Sequence, residues 1–123
     1  MVRIVILLTI LLMSANCYAK HIQPERVYQQ LWCDKYNGIM EYTLPDKTRV
    51  DCVTKNYAVE FDFAPKWAEA VGQSLYYGIM TNKKPAVVLI IENPSDWKYY
   101  HRIKKVAEFI NFTLWYIPPK TDI

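Results

Sequence analysis

The chain has 123 residues, with 15 Lys and Arg against 12 Asp and Glu and an aromatic content of 15%. A net charge of +3 is too small to argue for nucleic acid by itself. Three glycines (Gly38, Gly72, Gly78) leave no phosphate-cradling glycine loop, and two histidines (His21, His101) without a Gly-x-Ser-x-Gly elbow argue against serine or cysteine hydrolase chemistry.

Arg3 gives the chain a positive start. Ile4 to Met13 is apolar apart from Thr9, and Ser14-Ala15-Asn16-Cys17-Tyr18-Ala19 follows. This is the pattern of a secretory signal peptide, with the cut expected after Ala19. The apolar run is shorter than the ~20 residues that span a bilayer. An uncleaved anchor is the second reading and lipid attachment at Cys17 a third, which Asn16 disfavours. Cleavage predicts a mature single domain of residues 20–123, periplasmic or extracellular, with no stable membrane anchor. Arg3 leaves with the leader, so 14 basic residues face 12 acidic ones, a charge of +2. Cys33 and Cys52 remain, and in an oxidising compartment such a pair usually bridges. Closing that loop adds about 3 kcal/mol in the chain-entropy picture. With His21 alone beside them, the cysteines lack zinc-site spacing.

Along the chain, Pro24 to Tyr36 suits a helix, with proline in its first turn and Val27 and Leu31 on an apolar stripe that Tyr28 can join. Asn37-Gly38 ends it. Strands are predicted over Ile39–Leu44, Thr48–Val53 and Tyr57–Phe63, separated by turns at Pro45-Asp46-Lys47 and Lys55-Asn56. A second helix opens at Ala64-Pro65 and runs to Thr81, and Asn82 to Pro85 is a break. Ala86 to Ile91 is apolar without alternation, so both faces of that strand should be covered. Following a helix, it reads as a central parallel strand reached by a crossover. Asn93-Pro94-Ser95-Asp96 caps a third helix to Phe109, and Phe112–Tyr116 is a last strand. The expectation is an α/β sheet with helices on both sides.

The acids are the unusual feature. Asp51 stands between Val50 and Cys52, and Glu60 and Asp62 alternate with Val59, Phe61 and Phe63. Alternation points Glu60 and Asp62 to one side and the three apolar residues to the other. Strand interiors are poor places for carboxylates, and two acids on one face beside another acidic strand suit a magnesium or manganese ion. The plainer reading is a solvated face, or pairing with Arg49 and Lys66. On the second helix, Lys66, Gln73 and Tyr77 fall on one stripe, while Trp67, Val71, Ser74, Leu75 and Gly78 form the face expected to pack on the sheet. Lys98, His101, Arg102, Lys104 and Lys105 form an acid-free basic stretch with Trp97, Tyr99 and Tyr100 beside it.

With Asp51 in one strand and Glu60 in the next, the order αβββαβ resembles the PD-(D/E)XK nuclease superfamily. Gln73-Ser74-Leu75-Tyr76-Tyr77 resembles the Q-x-x-x-Y helix motif of its exonuclease-like branch. The resemblance covers Glu25 to Ile91 and implies a restriction-endonuclease-like αβββαβ core with an added C-terminal helix and strand. It implies magnesium or manganese on Asp51 and Glu60, with Asp62 as a further ligand, and phosphodiester hydrolysis in nucleic acid. Catalysis would rest on Asp51, Glu60 and Lys66. Gln73 and Tyr77 would position the backbone, and the basic stretch would hold phosphates. Glu41 and Glu25 are candidate extra acids, and a homodimer would help grip a duplex. The sequence departs from the family in one respect: Asp62 stands where the lysine belongs, so Lys66 must supply the cation. The alternative is an inactive domain of the same fold serving as a binding or interaction module. A bridge from Cys33 to Cys52 would lie on the sheet face opposite the acids, because Cys52 and Asp51 alternate.

Overall fold

The computed structural model describes residues 21–120; the signal peptide expected over 1–19 lies outside the described residues. Helix α1 (Glu25–Lys35) is followed by strands β1 (Ile39–Thr43), β2 (Arg49–Val53) and β3 (Tyr57–Phe63). Helix α2 (Trp67–Thr81), strand β4 (Lys84–Ile90), helix α3 (Trp97–Ile110) and strand β5 (Thr113–Ile117) complete the chain. The five strands lie in sequence order in one mixed sheet. The β1–β2 and β2–β3 pairs are antiparallel, and β3–β4 and β4–β5 are parallel. This is an α/β fold, and α2 is the crossover expected between parallel strands. Among the described residues, no helix is long and apolar enough to cross a membrane.

Two cores sandwich the sheet. On one side Tyr28 and Cys33 of α1 meet Cys52, Val59, Phe61, Phe63, Ala86, Val88 and Ile90. On the other, α2 and α3 cover Val87, Leu89 and Ile91, using Ala70, Ile103 and Ala107. The unalternating run of β4 is explained by this, since its residues are buried on both faces.

Three local expectations are corrected. Residues Ala64–Lys66 form a 3₁₀ turn before α2, so Lys66 is the N-cap and not part of the first α-turn. The expected break at 82–85 shrinks because Lys84 and Pro85 already pair with Tyr57 and Ala58. Pro94–Asp96 form a 3₁₀ turn after Asn93, and no side chain caps α3.

Cys33 and Cys52 form the disulfide, with Cα atoms 5.9 Å apart and both side chains fully buried. It ties α1 to β2 on the face shared with Val59 and Phe61. Gly38 is required beside it, because a Cβ there would stand 2.3 Å from Cys52 Sγ and 2.6 Å from Cys33 Sγ.

Candidate acidic site

The site forms where β2 parts from β3. Their ladder holds Cys52 opposite Val59 and Val53 opposite Ala58, and the next position in that register would set Asp51 opposite Glu60. The ladder stops there. The Phe61 N–H donates instead to Asp51 Oδ2 at 2.8 Å. On the other side of Asp51, Glu41 of β1 has a left-handed backbone (φ 54°), and no pair joins the two between Met40–Cys52 and Tyr42–Val50. Such a conformation in a residue other than glycine costs on the order of 1–3 kcal/mol. Val50 and Val53 both join the cluster around Leu44, Ala58 and Tyr77. Residues three apart face opposite sides of a regular strand, so the alternation of β2 is interrupted at Asp51.

Glu60 and Asp62 are buried, and Asp51 is half-buried. Among the described residues the ion pairs are Arg49–Glu41 at 3.4 Å and His21–Glu92, and neither engages these three acids. Arg49, a suggested partner for Asp51, is committed to Glu41. Glu60 Oε2 is buried with no hydrogen-bond partner.

Burial first, and then the neighbouring Asp51 carboxyl, push Glu60 far above the ordinary carboxylate range, with smaller contributions from Asp62 and Glu25. Burial also raises Asp51, against the bond from Phe61, and the Glu25 charge adds to the rise. Burial and the Glu25 charge raise Asp62 to about 7, and Lys66 draws it back. Glu25 itself is raised by burial, while the Gln29 bond and the Lys66 charge oppose the rise. Four carboxyls from α1, β2 and β3 thus act on one another, with exposed Lys66 as the cation in reach. Among the described residues, no three His, Cys, Asp or Glu side chains converge tightly enough to cage an ion unaided.

Tyr77 does not share the exposure of Lys66 on the same stripe. It is 8% exposed and packs in the cluster with Leu44, Val50, Val53 and Ala58. Burial and the charges of Glu60 and Asp51 raise its hydroxyl to about 12, so it stays a neutral donor beside the acids. Helix α2 buries Ala70, Ser74, Tyr77 and Gly78. Trp67, Val71 and Leu75, expected on the sheet face, pack against the cluster that holds Val87 and Leu89 of the sheet and residues of α3. Gln73 is half-buried on the same helix.

Glu25 is drawn into the site by α1. Gln29, one turn on, donates to Glu25 Oε1 at 2.7 Å, and its own buried Oε1 has no partner. The signal for Gln29 was its four-residue spacing from Glu25. Sequence reasoning missed Glu92, just beyond β4, which accepts from Tyr28 Oη at 2.8 Å and the Ile22 N–H at 2.9 Å and bonds His21 Nδ1 at 2.6 Å. His21 stacks on Phe63 at 3.5 Å. No local pattern marks that carboxylate, because its partners lie 64 to 71 residues away.

Comparison with protein-family models, curated proteins and solved structures gave no match.

Proposed function

We propose that the chain is an exported, magnesium- or manganese-dependent nuclease-like protein that hydrolyses phosphodiester bonds in nucleic acid. The observation that carries this is the buried Glu60 Oε2 beside Asp51 and Asp62, with no hydrogen-bond partner for that oxygen and no cation paired to any of the three among the described residues. Buried carboxylates held this close stay protonated or take a cation. A hard divalent ion needs only one or two such ligands when water and phosphate complete its shell, which fits a pair of acids that does not form a cage.

In this reading Asp51 and Glu60 would hold the ion, and Asp62, which does not converge with them into a cage, would be a further ligand reached through a bound water. The bound ion supplies acidity to a water and charge to offset the attacked phosphate. Lys66, exposed at the N-cap of α2, neutralises a phosphate oxygen as charge builds on it. The Phe61 N–H fixes Asp51, and Tyr77 presents a neutral hydroxyl donor. Gln73 orients the backbone from the same helix. The element order αβββαβ, followed by a helix and a strand, is the one the superfamily resemblance calls for. The buried disulfide suits an oxidising compartment.

A second reading has one specific observation in its favour. Asp62 stands at the expected lysine position and adds negative charge there, as in a domain that binds without cleaving. Magnesium and manganese titrations by thermal shift, run on wild type and the Asp51→Asn/Glu60→Gln variant, decide whether the site takes metal. Wild type alone should be stabilised. Metal-dependent oligonucleotide cleavage by wild type then favours the nuclease, and stabilisation without cleavage favours the binding module. No stabilisation at any metal concentration with a phosphodiester present would sink the nuclease reading.

A further inference from the structure

On the other face of the sheet, at the opposite end of β3 from Asp62, an open groove of about 570 Å³ runs between α1 and β5. Trp32 and Tyr36 of α1, Tyr57 at the start of β3 and Trp115 of β5 supply its rings. Beneath the rings, Trp32, Tyr57 and Trp115 pack against the buried cluster that includes Ala86 and Val88 of β4. The rings brace one another: Trp115 lies 5.4 Å from Trp32 and 4.9 Å from Tyr57, and Trp32 lies 4.4 Å from Tyr36. Tyr36 is 49% exposed, and Trp32, Tyr57 and Trp115 are half-buried, so the rings still offer surface to a ligand.

The polar groups at this groove are of one sign. Lys55 and Asn56 line it with Thr54, and among the described residues no Asp or Glu does. Lys83 Nζ donates to the Lys55 carbonyl at 2.7 Å, which brings a second lysine to the same loop. Lys84 pairs in register with Tyr57, which sets its side chain on the groove face. Lys35 stands over the Tyr36 ring at 5.5 Å. Asp34, also on α1, is engaged by Gln30, whose amide donates to both its oxygens.

We infer that this aromatic groove with its lysine rim binds single-stranded nucleic acid, its rings stacking unpaired bases and its lysines meeting the phosphates. Stacking on π faces beside a cationic rim is how single strands are held without sequence readout. Asn56 and Thr54 carry acceptors that a sugar hydroxyl can use, but a neutral sugar leaves the lysines at the rim without a counter-charge, which phosphates supply. A duplex would keep its bases out of reach of the rings. The inference rests on the composition of the groove, not on cleavage at the acids.

The test is equilibrium binding of a fluorescein-labelled oligothymidylate of about 12 nucleotides, in EDTA, to the full mature chain. Anisotropy and intrinsic tryptophan fluorescence are read together. Wild type should bind with an affinity that falls as salt rises, and its tryptophan emission should be quenched. The Asp51→Asn/Glu60→Gln variant should bind equally well, which keeps failure of the nuclease reading separate from failure of this one. Lys55→Glu/Lys84→Glu, both exposed in the wild type, should weaken binding at least about tenfold with an unchanged melting temperature. Trp115→Ala should weaken it by roughly tenfold, and Trp115→Phe should restore most of the loss. Binding that survives the lysine reversals, absence of quenching, or equal affinity for an uncharged oligosaccharide would each overturn the inference. So would loss of binding in Lys98→Glu/Arg102→Glu with the groove variants intact, since α3 would then be the interface.

Discussion

Asp51 Oδ2 accepts the Phe61 N–H at 2.8 Å, so a carboxylate takes the place of the main-chain partner that β2 would otherwise offer β3. The bond holds open the fork in which Glu60 and Asp51 meet. An asparagine at 51 keeps an acceptor for the same N–H and removes the charge that opposes ionisation of Glu60. Asp51→Asn is therefore expected to melt higher than wild type at pH 8 without metal, by several degrees. The same variant should lose any rise on adding magnesium. Differential scanning calorimetry with and without the ion checks both.

The pH dependence has a definite sign. Asp62 ordinarily titrates near 3.8 and is raised to about 7 in the folded chain. Between those values the folded state holds a proton that the unfolded state has released, so stability falls as pH rises. Asp51 and Glu60 are shifted in the same direction, mainly by burial. The metal-free protein should melt lower at pH 8 than at pH 5, and each kcal/mol lost lowers Tm by about 4–8 °C in a domain of this size. A flat or rising profile would show that these acids are solvated.

Glu92 behaves in the opposite way. Burial works against its ionisation, but the bonds from Tyr28, His21 and the main chain outweigh it and hold its pKa below the ordinary 4.5. Its contribution is present above that ordinary value and is lost as pH falls through the folded one. Glu92→Gln keeps the shape but turns two carboxylate acceptors into one carbonyl and one donor facing Tyr28, Ile22 or His21. A loss of about 2 kcal/mol in urea denaturation is expected at neutral pH, narrowing as the pH is lowered.

Gly38→Ala should cost about 1–3 kcal/mol, because the new methyl group overlaps both sulfur atoms and α1 or β2 must shift. If the cost arises at the disulfide, the gap between wild type and variant will shrink once both are reduced. Comparison of melts with and without reductant tests this.

Lys66 is exposed and makes no ion pair within 4 Å among the described residues. Lys66→Ala should leave Tm unchanged and lower metal-dependent cleavage roughly 10²–10³-fold, the scale of losing one group that stabilises transition-state charge. Lys66→Arg should recover part of it. Single-turnover cleavage of a labelled oligonucleotide measures both.

Where the determinants are local, the chain could be read directly. Pro24, the Asn37-Gly38 stop, the Lys55-Asn56 turn and the unalternating β4 run each fix an element through backbone geometry or hydropathy that acts over a few residues. The alternation of Val59, Phe61 and Phe63 against Glu60 and Asp62 set the two faces of β3, and with Cys52 it put the disulfide on the far side from the acids. Tertiary structure decided what depends on partners distant in sequence. The stripe that Tyr77 shares with Lys66 and Gln73 does not reveal which neighbours cover it; the packing of Leu44, Val50 and Ala58 does. The fork at Asp51 depends on Phe61 of β3, whose N–H takes the Asp51 carboxylate in place of a main-chain partner. Glu92 is a buried acceptor only because α1 and the residues before it fold across the end of β4. The aromatic groove likewise assembles Trp32, Tyr57 and Trp115 from three separate elements. Hydropathy and turn chemistry are properties of a segment, whereas burial of a charge and convergence of rings are properties of the packing between segments.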